Sequence, residues 1–184
     1  PEGWQRNPDL VLDFYNQRRT QLEHCKPNKA HIGLVALEKN YELHIITQNV
    51  DNLHERAGSS NVLHLHGELT KVCNSDKSQV IDIGYRNTTS EEKINGTPMR
   101  PFIVWFGEAV PAMDEAIRIT QSADIFVVIG TSLNVYPAAG LLDFVKKNCP
   151  IYLIDPNKVI TKKEVLFINK GASEGVRELI NLLL

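Results

Sequence analysis

Short apolar runs, each stopping at a polar or glycine-bearing turn, recur along this chain and constrain its fold more than any other feature. Strand signals fall at residues 42–46 (ELHII), 62–65, 102–105, 125–129, 151–154 and 165–168. Between them lie helical patterns at 7–24, 29–39, 113–122, 138–147 and 173–183, the first opened by Asn7 and Pro8 as N-cap and first-turn proline. Strands alternating with helices predict an α/β fold with a mostly parallel sheet and helices on both faces. With 184 residues, 42% of them hydrophobic, the chain buries one good-sized core, so a single main domain is expected over residues 1–184. Residues 70–100 differ in texture. They are polar, carry the turn signals NTTSEEK and NGTP, lack a long apolar period, and read as a small inserted module.

The densest chemistry follows the first strand, in TQNVDNLHERAGSSNVLHLHGEL over residues 47–69. Ligands in open α/β sheets sit at the carboxyl ends of strands. Gln48, Asn49 and Asp51 fall where the first strand ends, and His66 and Gly67 where the second does, so two strand ends are expected to converge on one crevice. Histidine titrates near neutral pH, which suits His66 as a general base. A lone strand-end histidine is more often a packing residue, but the TQNVD neighbours favour chemistry; His64 and His54 are second choices. Gly130, Thr131 and Ser132 follow the run IFVVI, where a glycine and small hydroxyls suit a phosphate or ribose, although an ordinary turn has the same composition. Asp155, Pro156 and Asn157 end IYLI and read either as a ribose contact or as a turn. Phe106, Gly107 and Glu108 follow the run ending at Trp105 and read either as exposed backbone for an extended peptide or as a strand-to-helix turn.

A net charge of -2 gives no general electrostatic reason to bind nucleic acid or an anionic membrane. No apolar run reaches the roughly 20 residues that span a bilayer, and PEGWQRNPD has no signal-peptide pattern, so a cytoplasmic location is expected. Cys25, Cys73 and Cys149 are odd in number and widely spaced, which is neither a disulfide framework nor a CxxC metal pattern.

Taken in order, TQNVDNLHERAG, HLHGEL, VWFGE, GTSLNVYPAAG, IDPN and KGASEGV resemble the sirtuins, NAD-dependent protein lysine deacylases, over nearly the whole chain. The resemblance is nearest to the bacterial cobalamin-biosynthesis-B-type sirtuins and their mitochondrial desuccinylase relatives, because FYNQRR sets Tyr15 and Arg18 in that branch's Tyr-x-x-Arg pattern. It implies a Rossmann-like fold, NAD as co-substrate, and acyl-lysine proteins or peptides as substrates, with succinyl and malonyl groups favoured and acetyl accepted. The products implied are nicotinamide, 2′-O-acyl-ADP-ribose and free lysine. Carried over residue by residue, His66 is the general base, Asn49 positions the ribose and a water, Asp51 binds the nicotinamide carboxamide and Gln48 the ribose. Gly130, Thr131, Ser132 and Asn157 hold the ADP-ribose portion, with Ala172 near the adenine. Val104, Phe106, Gly107, Glu108, Val135 and Tyr136 line the acyl-lysine tunnel. Tyr15 and Arg18 share a helix face at i and i+3, where a phenol and a guanidinium fork suit the free carboxylate of a dicarboxylic acyl group.

The pattern departs from the family in two places. The family's opening strand and Gly-Ala-Gly-x-Ser loop would precede Pro1, so the chain as written is expected to bind NAD poorly or not at all, and the natural full-length protein to be active. Of the family's two CxxC pairs in the small module only Cys73 is present, so no structural zinc is expected and residues 70–100 should be held by loop packing alone. Two alternatives stand beside deacylation. One is mono-ADP-ribosyl transfer, against which the Tyr15 and Arg18 pair argues; the other is a nonenzymatic NAD or ADP-ribose sensor, against which His66 argues.

Overall fold

Asn7 and Pro8 open the first long helix as predicted: the Asn7 side chain accepts the Leu10 N–H at 3.0 Å, and proline occupies the first turn. A computed structural model describes residues 1–131, 133 and 135–184. The helices are α1 (Glu2–Arg6), α2 (Pro8–His24), α3 (Lys29–Leu37), α4 (Leu53–Ala57), α5 (Met113–Ser122) and α6 (Ala172–Leu183). The strands are β1 (Ile45–Thr47), β2 (Val62–His64), β3 (Gly67–Cys73), β4 (Val80–Asp82), β5 (Lys93–Ile94), β6 (Thr97–Pro98), β7 (Arg100–Ile103), β8 (Phe126–Ile129), β9 (Ile151–Ile154) and β10 (Leu166–Ile168). Two compact units divide the chain: residues 1–26, 47–53 and 64–110 form the first, and residues 27–46, 54–63 and 111–184 the second.

The second unit carries the parallel sheet, in the order β10-β9-β8, with Ile129 beside Ile154 and Ile154 beside Ile168 in register. All three strands therefore end at one edge. Ile154 and Ile168 pack with Leu34 and Leu37 of α3 and Val176 and Leu179 of α6, as the apolar periodicity of both helices requires. Close approach is enforced at Gly175, where an added Cβ would lie 2.1 Å from Ile154 Cγ2. A second cluster joins Val128, Ile151 and Leu153 to Leu142 and Val145. The helical pattern at 138–147 is realised as a 3₁₀ helix, Ala138–Phe144. Gly140 in its middle is a weak α-helix former, and Ala138, Ala139, Leu141 and Leu142 are all buried, so packing decides its form.

In the first unit β3 pairs antiparallel with both β4 and β7. Residues 70–100, expected to be held by loop packing alone, thus contain most of β3, all of β4, β5 and β6, and the first residue of β7. Their own small core joins Val72, Ile94 and Met99. Short strands of this kind escape a periodicity search because two to four residues show no period. The strand predicted at 102–105 lies earlier, at Arg100–Ile103, because the Trp105 N–H donates to the Glu108 carboxylate at 3.0 Å instead of continuing the ladder. The run at 42–46 pairs only from Ile45, whose N–H donates to Asn61 O at 2.9 Å, while Glu42 and His44 are exposed.

Candidate functional site

His66 stands in the two-residue turn between β2 and β3, and its backbone is tied on both sides. Leu65 N–H donates to Thr47 O at 2.9 Å, Leu69 N–H to Val50 O at 2.7 Å, and Val104 N–H to His66 O at 2.9 Å. Gly67 permits this close approach. Its φ is +81°, and a Cβ there would stand 2.0 Å from the Phe102 carbonyl oxygen, so any side chain collides with the backbone of β7. The imidazole follows from the fixed backbone: His66 Nδ1 lies 3.1 Å from Gln48 O. A carbonyl only accepts, so Nδ1 carries the proton of the neutral ring and Nε2 carries the lone pair. That is the tautomer a general base needs. His64 repeats the contact one pair earlier, with Nδ1 3.1 Å from Asn49 O.

The remaining residues of the TQNVD segment are placed by the same turn. Asn49 N–H donates to Thr47 Oγ1 at 3.1 Å, leaving the asparagine exposed. Asp51 Oδ1 accepts the Leu53 N–H at 3.0 Å and so starts α4, as short acidic side chains do at helix entries. The structure therefore sets the His66 ring against the Gln48 carbonyl, with Asn49 and Asp51 next along the same segment.

Glu108 is turned inward. Its carboxylate accepts Arg100 Nη1 at 2.8 Å, Arg100 Nη2 at 3.3 Å, Lys77 Nζ at 3.0 Å and the Trp105 N–H at 3.0 Å. Burial pushes its pKa up, but the Arg100, Trp105 and Lys77 hydrogen bonds and the Arg100 charge outweigh that and hold it at about 2. The carboxylate thus closes the loop that presents Val104, Phe106 and Gly107, with Phe106 91% exposed.

A cavity of about 520 Å³ adjoins this loop, lined by Leu10, Val11, Phe14 and Tyr15 of α2 and by Val104, Trp105 and Phe106, among others. Leu10, Val11, Phe14 and Tyr15, at helical spacing along α2, therefore line an opening rather than a core, which leaves Leu10 65% and Phe14 50% exposed. Tyr15 Oη accepts Trp105 Nε1–H at 2.8 Å. Burial raises the phenol's pKa against the lowering influence of Trp105 and Arg100, so it is a neutral donor at physiological pH. Arg18 is exposed, its guanidinium 5.2 Å from the Phe14 ring centroid and 3.3 Å from Gln21 Oε1. The expected pairing of Tyr15 and Arg18 is thus not the arrangement seen. Position i+3 lies about 60° to one side of Tyr15 and i+4 about 40° to the other, and it is i+4, Arg19, that points inward.

In the second unit the aligned strand ends carry the other predicted residues. Gly130 follows β8, its N–H donating to Ile154 O at 2.9 Å, and Thr131 Oγ1 accepts the Leu133 N–H at 3.2 Å. Asn157 follows β9, its N–H held by Asp155 Oδ1 at 2.7 Å, and Ala172 begins α6 beyond β10. Val135 and Tyr136 are exposed. Ser132 lies outside the described residues.

Sequence reasoning missed Trp105, Arg100, Lys77 and Arg19. Arg19 is fully buried and donates to Leu69 O at 3.3 Å, to Thr88 Oγ1 at 3.0 Å and to Asn16 Oδ1, which ties α2 to the His66 turn. Burial and the Arg86 charge lower its pKa to about 10, so it stays protonated at neutral pH. Its signal was in the sequence: Leu12, Arg19 and Leu22 fall at i, i+7 and i+10, one helix face. The other three had no such signal, since their partners are brought near only by folding.

Residues 1–137 match the Sir2 family. The NAD-dependent protein deacylase of Bacteroides thetaiotaomicron is 54% identical over 193 aligned residues, covering 100% of this chain and 82% of the relative. The protein of the same name from Helicobacter pylori is 46% identical over 191, with 100% and 82% covered. Among solved structures, a Sir2 homologue in complex with NAD superposes with a TM-score of 0.88 at 34% identity, covering 100% of this chain and 77% of that one. Sir2 bound to an acetylated peptide superposes with a TM-score of 0.85 at 28% identity, covering 98% and 81%. By motif order, fold and these identities, the chain belongs to the Sir2 family.

Proposed function

We propose that this chain is an NAD-dependent protein-lysine deacylase, acting on acyl-lysine proteins or peptides, with His66 as general base. NAD supplies the sugar carbon that accepts the acyl oxygen, with nicotinamide as leaving group. The observation that carries the reading is the contact of His66 Nδ1 with Gln48 O at 3.1 Å: a carbonyl only accepts, so in the neutral ring Nε2 is the nitrogen left to take a proton from a ribose hydroxyl. Asn49 and Asp51 stand in the segment against which the ring is held and orient the ribose and the carboxamide. The donor set suits NAD: amides at Gln48 and Asn49, a carboxylate at Asp51, and hydroxyl, amide and glycine backbone at Thr131, Asn157 and Gly130, with Ser132 and Ala172 completing the ADP-ribose contacts. Val104, Phe106, Gly107, Val135 and Tyr136 serve the acyl-lysine peptide, and Glu108 serves it by fixing the loop.

Acetyl, succinyl and malonyl groups are the substrates inferred, with Tyr15 as donor to the acyl end and Arg18 swinging from Phe14 to an acidic one. Residues 1–184 act as one catalytic domain in which residues 70–100 form an inserted module without zinc; one equivalent of zinc per chain by metal analysis would overturn that last point. No described helix is long and apolar enough to cross a membrane, and the free state of Cys25, Cys73 and Cys149 supports a reducing, cytoplasmic setting.

The deciding experiment measures nicotinamide release from NAD with an acetyl-lysine peptide. His66→Ala should lower kcat by about 10²- to 10⁴-fold while the thermal melt stays within a few degrees. Undiminished turnover in that variant would remove His66 as the base.

A further inference from the structure

Trp105 is the most constrained aromatic side chain of the cavity, and the function above assigns it nothing. The Arg100 guanidinium stacks 3.6 Å from its ring centroid, and Trp4 packs against it at 5.9 Å. Its backbone N–H is fixed by Glu108 at 3.0 Å, and that carboxylate is itself held by Arg100 and Lys77. The indole is therefore clamped by a charged cage, and its one polar atom, Nε1–H, is aimed at Tyr15 Oη at 2.8 Å. An indole N–H donates only, whereas a phenol both donates and accepts. With its oxygen engaged as an acceptor, and with burial keeping it protonated, the Tyr15 hydroxyl directs its own proton away from Trp105. Leu10, Val11, Phe14, Val104 and Phe106 around it in the cavity offer side chains without an acceptor.

We infer that Trp105 is a positioning residue for acyl selectivity: by occupying the acceptor side of the Tyr15 hydroxyl, it turns that hydroxyl into a donor that favours acyl groups ending in a carboxylate or carbonyl over plain alkyl ends. The inference deepens the deacylase reading and rests on its placing the acyl end in this cavity. A pocket of apolar side chains discriminates poorly between chain ends, whereas one oriented, half-buried donor disfavours a bound chain end that covers it and leaves it unpaired.

Trp105→Phe keeps an aromatic ring for Arg100 and Trp4 and removes the N–H. With NAD saturating, kcat and KM are measured for matched succinyl-lysine and acetyl-lysine peptides. The ratio of succinyl to acetyl kcat/KM should fall about five- to tenfold, carried by KM rather than kcat, and adding Tyr15→Phe should lower it no further. β-(3-Benzothienyl)alanine at position 105, which keeps the indole's shape and lacks the donor, should reproduce the change and separates it from any packing defect. An equal fall for both peptides, an unchanged ratio with the benzothienyl side chain, or an additive loss in the double variant would overturn the inference. Absence of NAD-dependent turnover of either peptide by the unsubstituted protein in its complete natural form, in which all of these variants are made, would overturn the deacylase reading itself, and this inference with it.

Discussion

In the second unit Leu153, Ile154, Val176 and Leu179 are fully buried in apolar clusters, whereas the first unit buries Arg19 and Arg100 and holds each by directed hydrogen bonds. Apolar packing is non-directional: it fixes where a helix lies on a sheet and tolerates small rotations of its side chains. A guanidinium bonded to a carboxylate or carbonyl fixes orientation as well as place. The difference follows the chemistry each unit carries. Aligned strand ends need only backbone in register. In the function proposed, a base whose reactive nitrogen must point one way and a phenol that must donate rather than accept both require oriented surroundings.

That contrast is open to attack at its two glycines first. Gly67→Ala sets a Cβ against an unyielding backbone carbonyl at a positive φ, so a loss of about 3–5 kcal/mol is expected from strain and overpacking together. Gly175→Ala meets the Ile154 side chain, which can shift, and should cost about 1–3 kcal/mol. Urea unfolding of both variants measures the pair, and equal costs would erase the distinction between directed and non-directed packing. Next comes Glu108→Gln. The native carboxyl is depressed from 4.5 to about 2, so its stabilisation is complete above the unfolded value and is lost as pH falls through the folded one. The variant should be less stable by on the order of 1–2 kcal/mol at neutral pH, the gap closing between pH 4.5 and 2. A gap that persists at the acid end would mean the cage works by shape rather than charge. Smallest is Lys170→Ala, which breaks the surface pair with Glu178 at 2.6 Å; both partners are substantially exposed, so the change should stay below about 0.5 kcal/mol. A larger loss would show that directed contacts matter in the second unit too.

Part of the candidate site was legible along the chain. Gln48, Asn49, Asp51 and His66 stand out as candidates because strand ends announce themselves locally, by an apolar run that stops at polar residues, and helix α2 was read correctly because its cap and first-turn proline are neighbours in sequence. The short strands of residues 70–100 were not found, since two or three residues carry no period and their pairing depends on β3. The inward turn of Glu108 was also missed: a glutamate after a glycine looks alike whether it faces a peptide or a cage, and Lys77 stands 31 residues away.

By itself, then, the amino-acid order determined the family, the α/β alternation, and which residues stand at strand ends, all of which are properties of neighbours or of periods within one element. Only the tertiary structure decided that Nδ1 of His66 lies against Gln48 O, that Arg19 rather than Arg18 turns inward, and that Trp105 reaches Tyr15 across 90 residues of chain. Each of these depends on a hydrogen-bond partner from a distant segment, and a side chain's orientation has no meaning until that partner is in place.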